Sequence, residues 1–276
     1  MEVIFGGISS ILYGAADFLG GEGAKRAPAA SIVFWAGVIS FPLIFIVALL
    51  VGGEATPGDY LLGAVAGASG GLGLVFLFAG LGRGHTAAVA PVAAALAAVL
   101  PVVVAVIDGE RPTTLSWIGV VVAVPAIVLC AWVADPGETL GGSIRYGVAA
   151  GLGFGGFTAV IRFTSAESNL LPLVTSRAST MLVVLILAGA GIWRLVGLRS
   201  IPRSIVVGNA LLDVTGNVTL LVALRAGSLA LAAVAASFYP AVTVILARLI
   251  NAEHLLRRQL VGLGLTLLAM MAIAIG

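Results

Sequence analysis

Charge is what this chain has least of. Of its 276 residues only 9% are Asp, Glu, Lys or Arg, against roughly a quarter in a soluble domain. That scarcity excludes a soluble globular protein. Cysteine is nearly absent too: Cys130 stands alone in an apolar run, so neither an intrachain disulfide nor a cysteine-rich metal site is possible. The two histidines, His85 and His254, lie in different short loops without metal-ligand spacing around them. No metal and no cofactor are expected. No ATP-binding motif is present, which leaves an ion gradient or exchange as the energy source for any transport. "GLGFGG" (151–156) satisfies G-x-G-x-x-G, but no strand precedes it and it sits inside an apolar segment, so it does not read as a nucleotide loop. A net charge of +2 gives no reason to expect a nucleic-acid partner. The first apolar stretch lacks a basic leader and contains Asp17, so no cleavable signal peptide is expected.

What fills the chain is apolar sequence, 61% of residues, at a mean hydropathy of +1.19. A bilayer core about 30 Å thick takes about 20 apolar residues per helix. Ten such spans follow one another, near 3–21, 29–51, 60–82, 86–107, 114–133, 144–163, 171–194, 204–225, 229–250 and 257–275. The runs are too long for barrel strands. The expected fold is therefore an all-α polytopic membrane protein of ten transmembrane helices.

The sequence also repeats. A shift of 143 residues lays positions 73–126 over 216–269 without a gap, Gly73 on Gly216, Leu81 on Leu224, Glu110 on Glu253 and Gly119 on Gly262. A similar offset lays "YGAADF" (13–18) over "FGGFTA" (154–159). Each half has five spans, and an odd number forces the second half to enter the membrane in the opposite sense. The expected organisation is a first repeat over 1–134, a linker over 135–143 and an inverted second repeat over 144–276. Inverted repeats belong to transporters, with the substrate site near the midplane. The odd-numbered loops hold ten Lys and Arg residues against three in the even-numbered loops, which places the odd loops in the cytoplasm and both termini outside.

Polar groups inside the spans are the candidate site. Asn209, Asp213 and Asn217 recur every four residues in the eighth span and so share one helix face. A carboxylate at that depth costs on the order of 3 kcal/mol on the insertion scale, which implies a water-filled cavity or a partner. The competing reading is an interhelical clamp that contributes about 0.6 kcal/mol per bond. Asp17, one turn after Tyr13, is the second intramembrane carboxylate, unless it sits solvated at its helix end with Glu22, Lys25 and Arg26. Arg177 is the third ionisable group; it either pairs with Asp213 or Asp17 or meets a substrate carboxylate or phosphate bidentately. Tyr239 offers a ring face to an amine. Its neighbour Pro240 either frees a backbone carbonyl for substrate or is a packing kink. Gly147, Gly151 and Gly155 give small-xxx-small spacing for close helix packing. Glu110 and Glu253, before the last span of each half, read as caps or gates.

Several stretches resemble the EamA-like branch of the drug/metabolite transporter superfamily. They are "YGAADFLGG" (13–21) and "LRAGSLALAAVAASFYPAVTVILARLINAEHLLRRQLVGLGL" (224–265), with Pro240, Glu253 and Gly262 at the family's repeat positions. Ala97 stands where a proline would match Pro240. The resemblance also implies an arginine early in the second helix of a repeat, a role that Arg177 fits, and cytoplasmic termini, against the charge count. The implied function is a permease of the cytoplasmic (inner) membrane, moving a small metabolite, amino acid or amine by alternating access. A carboxylate in a closing chamber can take a proton on one side and release it on the other, which would couple transport to a proton gradient. Expected partners are a small-molecule substrate, membrane lipid and protons, with the chain a monomer or homodimer. The alternative is an intramembrane enzyme using Asp17 and Asp213 as an aspartic pair.

Overall fold

The computed structural model describes residues 1–109, 111–130, 140–226, 235–236, 238–252 and 256–276. Ten helices of 13 residues or more run through them: α1 (Glu2–Ala24), α2 (Ala29–Val51), α3 (Pro57–Leu81), α4 (Thr86–Ile107), α5 (Thr114–Cys130), α6 (Leu140–Ile161), α7 (Leu171–Gly189), α8 (Arg203–Ala226), α9 (Tyr239–Asn251) and α10 (Arg257–Ile275). Seven of these helices are long and apolar enough to cross a bilayer, and α5 and α9 are shorter apolar helices. The chain is thus a helical, multi-pass membrane protein. Large apolar side chains such as Leu50, Ile107, Val121 and Leu249 are exposed on the outside, as lipid-facing residues must be.

Where helix ends differ from expectation, local chemistry accounts for it. α3 begins three residues early because Pro57 occupies its first turn and Thr56 and Asp59 cap it reciprocally, satisfying backbone donors that would otherwise be orphaned. α7 stops at Gly189 rather than continuing to 194; Gly191 adopts a φ of +73°, a left-handed backbone that glycine tolerates. The chain then folds back over α2, with Trp193, Leu195 and Val196 packed on the core. The ninth helix is described only from Tyr239, so Pro240 lies in its first turn, where a missing N–H leaves no gap. It therefore breaks no hydrogen bond inside α9, and most of the segment before it, where a kink would have to show, lies outside the described residues. Glu110, Glu253 and His254, together with the linker to 139, lie outside the described residues.

Contacts sort the loops into two ends. At one end the odd-numbered loops meet. Ser31, near the start of α2, accepts from the Val196 N–H at 2.9 Å and donates to Arg194 O at 3.3 Å. The Trp35 indole N–H donates to Val196 O at 2.9 Å, and Asn251 donates to Glu22 at 2.7 Å. At the other end the even-numbered loops meet. Asp59 accepts from the Ser165 backbone N–H at 2.7 Å and from its hydroxyl at 3.1 Å, and Glu54 N–H donates to Glu167 O at 2.9 Å. The largest buried cluster, built on Ile32, Val33, Leu77, Phe78, Leu81, Val89 and Val206, fills the odd-loop half of the bundle.

Helix pairs cross at small residues. α3 meets α6 where a Cβ on Gly153 would stand 2.5 Å from the Gly73 Cα. α6 meets α4 along Gly147, Gly151 and Gly155, whose missing Cβ atoms leave room for Val92, Leu96 and Leu100. The main pairings are α1 with α8, α3 with α6, α4 with α6, α3 with α7, α2 with α7 and α5 with α10. Removing a side chain at such a crossing brings two backbones into van der Waals contact, which drives helix association where lipid leaves no hydrophobic gain.

Candidate functional site

Between these crossings lies a chamber of about 290 Å³, at the small end of ligand pockets. One wall is polar and comes from four helices: Tyr13 and Asp17 on α1, Arg177 on α7, Asp213 and Asn217 on α8, and Tyr239 on α9. Most of the remaining lining is apolar, Ile44 on α2, Leu74 on α3, Phe154 and Phe157 on α6, and Leu173 on α7, with Ser176 and Thr180 of α7 beside it. Ile44, Phe157 and Leu173 lie toward the even-loop ends of their helices, so the chamber extends that way. Toward the odd-loop end it narrows to a pocket of about 30 Å³ that Asp17, Arg177 and Asp213 share with Ser40 and Asn209. That is room for about one water molecule, and the apolar core closes the bundle beyond it.

The dominant interaction on the polar wall is an ion pair. The Arg177 guanidinium donates through Nη2 to Asp213 Oδ2. The two side chains keep 18% and 22% of their surface accessible, so both touch the chamber and neither faces lipid. Asp213 lies ten residues into α8, roughly 15 Å along it at 1.5 Å per residue, near the middle of that helix. A charge at that depth needs a partner of opposite sign, and Arg177 supplies it.

The three polar residues of α8 separate in role. Asp213 and Asn217 reach the chamber, and the Asn217 amide bonds back to Asp213 O at 2.8 Å. Asn209 is buried, and its amide donates to Ala16 O on α1 at 2.7 Å. It holds two helices together. Ser9 donates to Gly216 O at 3.0 Å in the same seam. α9 is pinned to α1 by Thr243, which donates to Gly14 O at 3.1 Å; a Cβ on Gly14 would stand 2.6 Å from Tyr239 O. That close approach brings Tyr239 to the chamber. Pro240 is buried and does not line it.

Asp17 is the exception on this wall. It lines the chamber within electrostatic reach of Asp213, Tyr13 and Tyr239. Among the described residues it has no hydrogen bond and no ion pair. Glu22 and Lys25 pair with each other at 2.5 Å, two turns away from it. Asp17 and Asp213 do not share a hydrogen bond, as an aspartic catalytic pair would require.

The apolar wall holds residues that the sequence reading passed over. Phe154 and Phe157 sit inside the "GLGFGG" stretch and just after it, where glycine spacing points only to packing. The signal available was the offset that lays Phe154 over Tyr13. Position for position, the two rings do the same thing: the Tyr13 ring covers Gly216 and the Phe154 ring covers Gly73, about 3 Å from where a Cβ would be.

This arrangement of a multi-pass helical bundle around a charged inner chamber agrees with a family match. The model of the EamA-like transporter family matches residues 1–132. Those residues, a little under half of the chain, are similar to the EamA-like transporter family. The match runs from α1 to the end of α5 and is consistent with the drug/metabolite transporter superfamily, a family of membrane transporters. No curated protein matches the chain. The paired charges of the chamber, Arg177 and Asp213, lie beyond the matched segment, while Asp17 and Tyr13 lie within it.

Proposed function

We propose that the chain is a secondary transporter of the cytoplasmic membrane that moves a small metabolite, amino acid or amine by alternating access between two inverted five-helix repeats. The observation that carries this reading is the chamber, closed at the odd-loop end by the Ile32–Phe78 core and extending toward the even-loop end, with a buried ion pair on its wall. Helix pairing supports the repeat. Exchanging α1 with α6 and α3 with α8 turns the α1–α8 contact into α6–α3. Exchanging α4 with α9 as well turns α4–α6 into α9–α1, a pair also in contact. The pairs α2–α7 and α5–α10 map onto themselves. With the basic odd loops in the cytoplasm, this conformation is open outward.

Proton coupling through the chamber carboxylates is the second part of the proposal. Asp213 is the coupler: protonation would release Arg177, and the released guanidinium changes what the chamber binds. The test is reconstitution into liposomes with and without a pH gradient. Asp213→Asn is expected to abolish gradient-driven uptake while retaining counterflow exchange. Unchanged gradient-driven uptake in that variant removes Asp213 as coupler, and a purified, folded protein that moves no solute from a broad metabolite panel overturns the permease reading itself.

A further inference from the structure

We infer that the substrate is a small organic cation with an apolar body, and that Asp17 is the carboxylate that receives its positive centre. The inference rests on the permease reading and narrows it. Three side chains that carry charge, one cationic and two anionic, line the chamber, and two of them, Arg177 and Asp213, satisfy each other. The third, Asp17, has no partner among the described residues. With both carboxylates ionised the chamber carries one uncompensated negative charge, and a bound cation would cancel it. An anionic substrate would meet a chamber whose one guanidinium is already engaged and whose free charge repels it. A zwitterion would satisfy Asp17 and leave its own carboxylate without a free donor of opposite charge.

The surroundings of Asp17 fit the same ligand. Tyr13 and Tyr239 flank it, and their rings attract a desolvated ammonium. Thr180, also in the lining, donates its hydroxyl proton to Gly67 O at 2.8 Å, which leaves the oxygen only as an acceptor, as a cation requires. Across the chamber, Phe154, Phe157 and Leu74 offer an apolar face and no donor or acceptor. A volume of about 290 Å³ suits a single ring with a short amine arm and is too small for a nucleotide sugar.

The experiment uses four probes with one aromatic body and different charge: phenethylammonium, phenylacetate, phenylalanine and phenylethanol. Binding to the purified full chain is read by calorimetry, and counterflow is read in proteoliposomes. Phenethylammonium is expected to bind most tightly of the four and to be transported. Asp17→Asn is expected to weaken it on the order of 30-fold, the cost of truncating one partner of a buried charge pair, and Asp17→Glu to keep most of the affinity. If Asp17→Asn does not fold, the order of the four probes on the wild-type chain decides alone. Tighter binding of phenylacetate, phenylalanine or phenylethanol overturns the cation assignment, as does full phenethylammonium affinity in a folded Asp17→Asn protein. Transport confined to acids or neutral solutes also overturns it and leaves the permease reading standing. Binding of phenethylammonium without movement of any solute overturns the permease reading and leaves Asp17 as a cation site.

Discussion

The seam between α1 and α8 and the seam between α3 and α6 each join one of the first five helices to one of the last five, yet they are held by different chemistry. α3 and α6 meet as bare backbone, with Gly73 against Gly153, and a single hydroxyl, Ser69, donates to Gly153 O at 2.9 Å. α1 and α8 meet through side chains, Asn209 to Ala16 O and Ser9 to Gly216 O. The sequence offset carries the contrast into the chamber. Asp213 stands where the first half has Gly70, Asn217 where it has Leu74, and Tyr13 where the second half has Phe154. One scaffold has thus been given a polar wall and an apolar wall. The polar groups follow one seam because a buried donor or carboxylate needs partners, and α1 and α8 supply them together. Glycine-only contacts need none, so the other seam could become the apolar side.

Substitutions at the crossings should break this comparison most strongly. Gly153→Val puts a side chain where the Gly73 backbone already lies, and neither helix can give way. The expected result is no monodisperse protein in detergent. The equivalent test on the other seam, Gly216→Ala, meets only the Tyr13 ring at 3.2 Å, which can tilt. Its cost should be about 1 kcal/mol, read as a small drop in melting temperature. Equal damage from both would show that the seams are not chemically distinct.

Next in size is the ion pair. Arg177→Ala strands Asp213 and should cost about 3 kcal/mol of stability along with transport. Arg177→Met combined with Asp213→Leu should restore most of the stability and none of the transport, since a well-packed apolar pair replaces a buried ionic one at little cost. Recovery of transport in the double variant would mean that the pair only props the helices apart. Asn209→Ala comes third, at about 1 kcal/mol for the lost hydrogen bond to the Ala16 carbonyl, with substrate affinity little changed because Asn209 lines only the narrow pocket and not the chamber. The smallest effect is expected for Ser69→Ala, about 0.6 kcal/mol, since backbone contact alone holds that crossing. A larger loss for Ser69→Ala than for Asn209→Ala, measured by denaturant titration, would reverse the proposed division between the seams.

Much of this was written in the sequence. Scarce charge and long apolar runs dictate a multi-pass helical protein, because lipid offers the backbone no partner except itself. Among the described residues the same runs set the helix positions to within a few residues, apart from the end of α7. The ends that moved did so through local devices, the Thr56–Asp59 cap and the Gly191 turn, whose effect depends on which loops they meet. Asp17, Arg177 and Asp213 could be singled out because an ionisable group inside a membrane always demands an explanation.

Sequence alone could not apportion their roles. A stripe of three polar residues on α8 reads as one surface, and only packing shows that Asn209 is spent on the α1 backbone while Asp213 and Asn217 reach the chamber. Arg177 had two possible carboxylate partners 160 and 36 positions away along the chain. The fold chose Asp213, because α7 and α8 bring those two side chains to the same depth and leave Asp17 facing the cavity from α1. The Phe154 and Phe157 wall was equally hidden, since glycine spacing speaks of helix contact and says nothing of which ring the contact turns inward. Hydrophobicity and charge are properties of residues and can be read along a line. Partnership and enclosure depend on distances between helices, and those exist only once the bundle has formed.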